Sequence, residues 1–245
     1  MAFFGKTPGR QRAAGAVFKT CLFFLALIIP APSGRAADRE VLRGEVWIEL
    51  EPIYGAYADE HYPLDMDTAS RRALEEAAMF YSAMIYGWSF HYDIGERARK
   101  ISEEFELTPV AAVPFGDPGL RVTDVRIQDM QVHLWTDYRL TEDQQRRIKV
   151  WRTGTIRNAQ ALGYGPLGGP VYLSDWLAIK KAGLEDAARA AIRAMLRGSE
   201  RNRPKEASGF ISLAAFPNYF MDSGRWAASA RFHIQITEIV PFAAY

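Results

Sequence analysis

Along residues 120–140 hydrophobic and polar side chains alternate: Met130, Val132, Leu134, Thr136, Tyr138 and Leu140 fall on one side, Gln131, His133, Trp135, Asp137 and Arg139 on the other. A period of two marks a strand with one buried face, because successive side chains of an extended chain point to opposite sides. Residues 141–144 read as a turn, and the stretch 146–158 puts Ile148, Val150 and Ile156 on a common side. The pattern predicts a long hairpin. Shorter alternations predict a strand over 41–54, with Val46, Ile48 and Leu50 on one face, and another carrying Trp88, Phe90, Tyr92 and Ile94. Two strand-like runs, 210–216 and 225–240, close the chain after a charged linker over 199–207.

Other stretches follow the helical period. Ala73, Leu74, Ala77, Ala78, Tyr81, Met84 and Ile85 share a stripe, with Asp67 as the expected N-cap and Gly87 as the stop. Leu184, Ala187, Ala188, Ala191, Ile192, Met195 and Leu196 form a second stripe, with Arg189, Arg193 and Arg197 on the outer face and Glu185 four residues before Arg189. Short helices are expected over 96–105 and, capped by Ser174 and interrupted by Gly183, over 174–182.

These elements predict an α+β protein: antiparallel sheets with amphipathic helices packed on one face. An internal echo suggests two related strand–helix–strand–strand units. LEEAAMFYSAMIYG at 74–87 resembles LEDAARAAIRAMLRG at 184–198, Val-Trp recurs at 46–47 and 150–151, and Ile-Gln at 127–128 and 234–235. The expected units are 37–140 and 141–245, with one continuous domain as the alternative.

The chain's start changes the setting. Lys6, Arg10, Arg12 and Lys19, without an acidic residue, precede the apolar run CLFFLALII at 21–29. Pro30, Pro32 and Gly34 follow, and Gly34 and Ala36 suit a cut before Ala37. This predicts a signal peptide over 1–36 and a periplasmic or secreted protein. As a helix the apolar run reaches only ~14 Å, against the ~30 Å hydrocarbon layer of a bilayer. Cys21, the single cysteine, would leave with it. The mature chain would then hold no disulfide, cysteine nucleophile or Cys-ligated zinc.

From residue 37 onward 25 Lys and Arg face 29 Asp and Glu, a balance of −4. That argues against a nucleic-acid partner, whose phosphates call for clustered basic charge. The charge is also divided: 37–116 carries −9 and 117–245 carries +5. No stretch in the mature chain reads as a transmembrane helix, and self-association is left open.

Little chemistry stands out. His61, His91, His133 and His233 lack the spacing that places two imidazoles on one metal, and the last three fall on polar strand faces. GYGPLGGP at 163–170 lacks the Gly-Lys-Ser/Thr ending of a phosphate loop, and no Gly-x-Ser-x-Gly elbow occurs. No cofactor, metal or catalytic residue is assigned. The expected binding segment is the loop 54–67, where Tyr54, Tyr57 and Tyr62 stand close to Asp59, Glu60, Asp65 and Asp67. The sequence therefore points to an exported, non-enzymatic module that binds a protein partner or an envelope component. The alternative is a hydrolase or binder of cell-wall polysaccharide, using rings that stack on sugars and carboxylates that serve as acid and base.

Overall fold

The computed structural model describes residues 40–51, 62–95, 100–153, 155–167, 176–199 and 204–241. The predicted leader and the Ser174 cap lie outside them. Asp38–Tyr245 forms one compact unit. Its elements are β1 (Val41–Glu49), α1 (Met66–Ile85), β2 (Trp88–Asp93), β3 (Glu104–Pro109), β4 (Leu120–Gln128), β5 (Gln131–Arg139), α2 (Glu142–Trp151), β6 (Arg157–Tyr164), α3 (Trp176–Ser199), β7 (Pro204–Leu213), β8 (Asn218–Asp222) and β9 (Arg225–Pro241). The strands make two antiparallel sheets, one ordered β1-β5-β4 and the other β3-β2-β7-β9-β6, with β8 paired to β9. The α+β class read from the sequence is the one observed.

α1 touches β1 and β5 of the smaller sheet and β7 of the larger. It is accordingly buried nearly all round, from Ala69 through Phe80, Tyr81 and Ile85. The Tyr81 hydroxyl donates to the Thr136 carbonyl at 2.9 Å, and its ring stacks on Tyr138 at 5.2 Å. Phe80 packs against Phe216 and Tyr219 at 5.0 and 5.9 Å. α3 packs on the larger sheet against β6 and β9 and meets α1 through the Lys180–Glu76 pair. Gly163 makes that approach possible, because a Cβ there would stand 2.0 Å from the Ala187 amide nitrogen in α3. The other face of this sheet carries Ser89, His91, Asp93, Arg231, His233 and Gln235 at half-buried or exposed positions.

The predicted hairpin over residues 120–158 is wrong in two places. The hairpin is β4–β5, and its turn is Asp129-Met130, both left-handed with φ of 50° and 58°. Such a two-residue turn matches the twist of paired strands, although neither residue is the glycine that usually announces it. Residues 141–144 start a helix instead of turning a hairpin. Thr141 Oγ1 accepts from the Gln144 amide at 3.3 Å and Gln144 Oε1 from the Thr141 amide at 2.8 Å, the reciprocal capping box that opens α2.

Four boundaries also move. The N-cap of α1 is Asp65, whose Oδ1 accepts from the Thr68 amide at 2.8 Å, while Asp67 sits in the first turn. Residues 104–105 belong to β3 instead of a helix. β7 begins at Pro204, inside the expected linker. Gly183 does not interrupt α3, which runs through it from Trp176 to Ser199.

The two-unit picture is crossed by the larger sheet, since β2 of the first span pairs with β7 of the second. The paired Val-Trp dipeptides also differ in structure: Val46-Trp47 lies in β1 and Val150-Trp151 in α2.

Candidate functional site

Tyr54, Tyr57, Asp59 and Glu60 of the expected binding loop lie outside the described residues. Tyr62 lies inside them, and it borders a hollow of about 60 Å³ shared with Trp47, Arg72, Trp176, Lys180 and Trp226. Trp176 and Lys180 are one turn apart on α3, so both reach the same point. The Lys180 ammonium donates to Glu76 Oε2 at 2.6 Å and to the Trp47 carbonyl at 3.3 Å. Four rings surround it, Trp47 at 5.2 Å, Trp226 at 5.3 Å, Tyr219 at 5.4 Å and Trp176 at 6.0 Å from the nitrogen. Glu76 and Lys180 are only 2% and 5% exposed. Burial pushes the Glu76 carboxyl above its ordinary range against the pull of Lys180, and burial together with Glu76 raises the Tyr219 phenol. Carboxylate, carbonyl and ring faces thus hold the ammonium, which ties α1, β1 and α3 together.

A larger recess opens between α1, α3 and the 107–115 segment, with a volume of about 400 Å³. Ala78, Met79 and Ala83 form one wall, Leu177, Leu184 and Ala188 the other, and Leu107, Pro109, Val113 and Phe115 close the side. Residues 177, 184 and 188 run along a line of α3 beside the stripe of Ala187 and Ala191. Polar groups sit at the edge: Glu75, Lys181 and Glu185. Burial raises the Glu185 carboxyl, opposed by Lys181. Ser82 fixes the third wall, accepting from the Val113 amide at 2.8 Å and donating to the Ala78 carbonyl at 2.6 Å. Phe115 at 59% and Val110 at 43% exposure add apolar surface on this side of the molecule.

The arginine stripe predicted on the outer face of α3 is partly engaged. Arg193 Nε donates to the Tyr92 hydroxyl at 3.0 Å, Tyr92 donates to Glu103 Oε1 at 2.6 Å, and Arg193 also pairs with Glu103. Burial raises the Glu103 carboxyl, but the bonds from Tyr92 and Arg193 outweigh it and hold the group below its ordinary range. Arg189 pairs with Asp186, not with the expected Glu185, which faces the groove. His133 and His233 stand on polar strand faces as expected, each with a partner, Glu45 at 2.9 Å and Asn158 at 2.6 Å.

Sequence reasoning missed the groove because its lining comes from separate stretches that only the fold brings together. One signal was present: α1 is apolar nearly all round in the run MFYSAMIY at 79–86, more than a single sheet contact requires.

No solved structure matches this chain. A protein described only as uncharacterized, from Treponema pallidum (strain Nichols), is 27% identical over 205 residues, which cover 82% of this chain and 81% of that one. A family model whose description names no activity matches residues 30–242. The chain belongs to that family of uncharacterised proteins.

Proposed function

We propose that this protein is an exported, non-enzymatic binding module that takes a basic, amphipathic segment of an envelope protein into the groove between α1 and α3. The observation that carries the reading is the groove itself, apolar along its walls and about 400 Å³ in volume. That volume lies within the ~300 to 1,000 Å³ of ordinary ligand sites. Facing walls of Ala, Leu and Met suit the apolar face of a helix, whose anchors repeat every three or four residues. Charge selects a basic segment: Glu75 and Glu185 flank the groove against one Lys181, and the 37–116 half that supplies most of its lining carries −9. Export rests on the basic and apolar leader over 1–36. Among the described residues no helix is long and apolar enough to cross a membrane.

A fluorescein-labelled amphipathic peptide of leucine and lysine, followed by anisotropy, tests the reading. It should bind, weaken when salt shortens the Debye length from ~10 Å at 0.1 M to ~3 Å at 1 M, and lose affinity with Phe115→Ser or Ala112→Arg. Both substitutions fall at exposed positions and should leave the fold intact. Equal binding of a leucine and glutamate peptide, or binding indifferent to both substitutions, would sink the proposal.

Tyr62, at the rim of the hollow, favours a second reading, in which its ring stacks on a sugar at the surface. Quenching of tryptophan fluorescence by cell-wall oligosaccharides, abolished by Tyr62→Ala, would support it; its absence would exclude it.

A further inference from the structure

Beyond the groove, we propose that His91, Asp93 and Glu206 form a site for a divalent transition-metal ion of the zinc class on the open face of the larger sheet. His91 and Asp93 are two apart on β2, so their side chains leave the same face, opposite the buried Phe90 and Tyr92. The register sets Asp93 directly across from Glu206 on β7. One ligand atom from each of the three residues lies within 4.8 Å of the other two, and His91 Nε2 is 3.4 Å from Asp93 Oδ1. Donors around a tetrahedral ion with bonds of ~2.0 to 2.2 Å stand ~3.4 Å apart, so side-chain torsions alone close the set.

Two further observations support a cation here. On the other side of β2 the register brings Glu106 opposite His91 and Glu104 opposite Asp93, and both are exposed. The face therefore gathers carboxylates from three adjacent strands. A cation already answers them, because the Lys205 ammonium pairs with Glu206. Lys205 sits where the β7–β9 ladder shifts register, and its side chain is half exposed, so it can swing away. One imidazole with carboxylates favours zinc or manganese over magnesium or calcium, which prefer oxygen alone. Three protein ligands leave a coordination position for water or for a group from a partner.

Isothermal titration of the tag-free protein with zinc chloride decides it. One zinc per chain is expected, with affinity falling at least ~10-fold in His91→Ala and in Glu206→Gln, since even an outer-shell partner of a metal is worth 10- to 100-fold. Lys205→Met should tighten binding by removing the competing ammonium. His133→Ala and His233→Ala, on other strands, should leave it unchanged. The changed residues are half-buried or exposed, and unaltered circular dichroism would confirm that each variant folds. Absence of zinc binding in both the parent and Lys205→Met, or binding that His91→Ala leaves within twofold, would overturn the site.

Discussion

Lys180 and Glu76 show how one pair of residues can hold a structure without being a simple source of stability. Both charges are nearly fully removed from water. Their attraction must offset that desolvation, so removing one partner leaves an uncompensated buried charge. Glu76→Gln and Lys180→Met are each expected to lower unfolding free energy by about 3 to 5 kcal/mol, whereas Glu76→Leu combined with Lys180→Met should recover most of the loss. Urea melts of the three variants check this; a double variant no better than the worse single one would contradict the account. Sequence pattern hid the pair. Glu76 follows Glu75 in what reads as a polar edge of α1, and Lys180 precedes Lys181 in α3, so nothing local says which of each pair is buried. The fold selects Glu76 and Lys180 for the core and leaves Glu75 and Lys181 at the groove.

At the scale of elements, β1, β2 and β5 were legible because each has one dominant face and a clear period of two, and α1 because its apolar residues keep helical spacing. The Asp129-Met130 turn was not, since Met130 continues the apolar alternation of β5 while its backbone is left-handed. A left-handed residue with a Cβ costs ~1 to 2 kcal/mol relative to one without that clash. Replacing Asp129-Met130 by Asn-Gly should therefore raise stability by about 1 kcal/mol, read as a higher thermal midpoint. A loss would mean that the Met130 side chain, 45% exposed, contributes more packing than its backbone costs. The start of α2 was visible in a different sense. Thr141 and Gln144 have the spacing of a capping box, but the following residues bury only Gln144 and Ile148, too few for a helical stripe to stand out.

At the scale of the molecule, the larger sheet governs what can be separated. β2 and β3 lie toward one edge, and their inner neighbour β7 comes from the far end of the chain. A fragment covering 37–140 would lack β7, and one covering 141–245 would lack α1 and β2, so each would expose apolar surface and unpaired strand edges. Each is expected to be unfolded alone by circular dichroism and amide exchange, whatever the salt. An independently folded fragment would restore the view of two units held together by opposite charge.

The class of the fold, strands β1, β2, β5 and β9, helix α1 and the later part of α3 are legible along the chain, because periods of two and 3.6 are properties of neighbouring residues. The basic and apolar stretch at its start, the single cysteine and the division of charge are equally visible there. Which charged residues are buried, where the groove opens and which acidic side chains meet His91 follow from packing and pairing across the whole fold. Each of those depends on strand register and helix placement over long separations, as between Asp93 and Glu206 or Glu76 and Lys180. No local spacing encodes such meetings; they exist once the sheets have paired and the helices have packed on them.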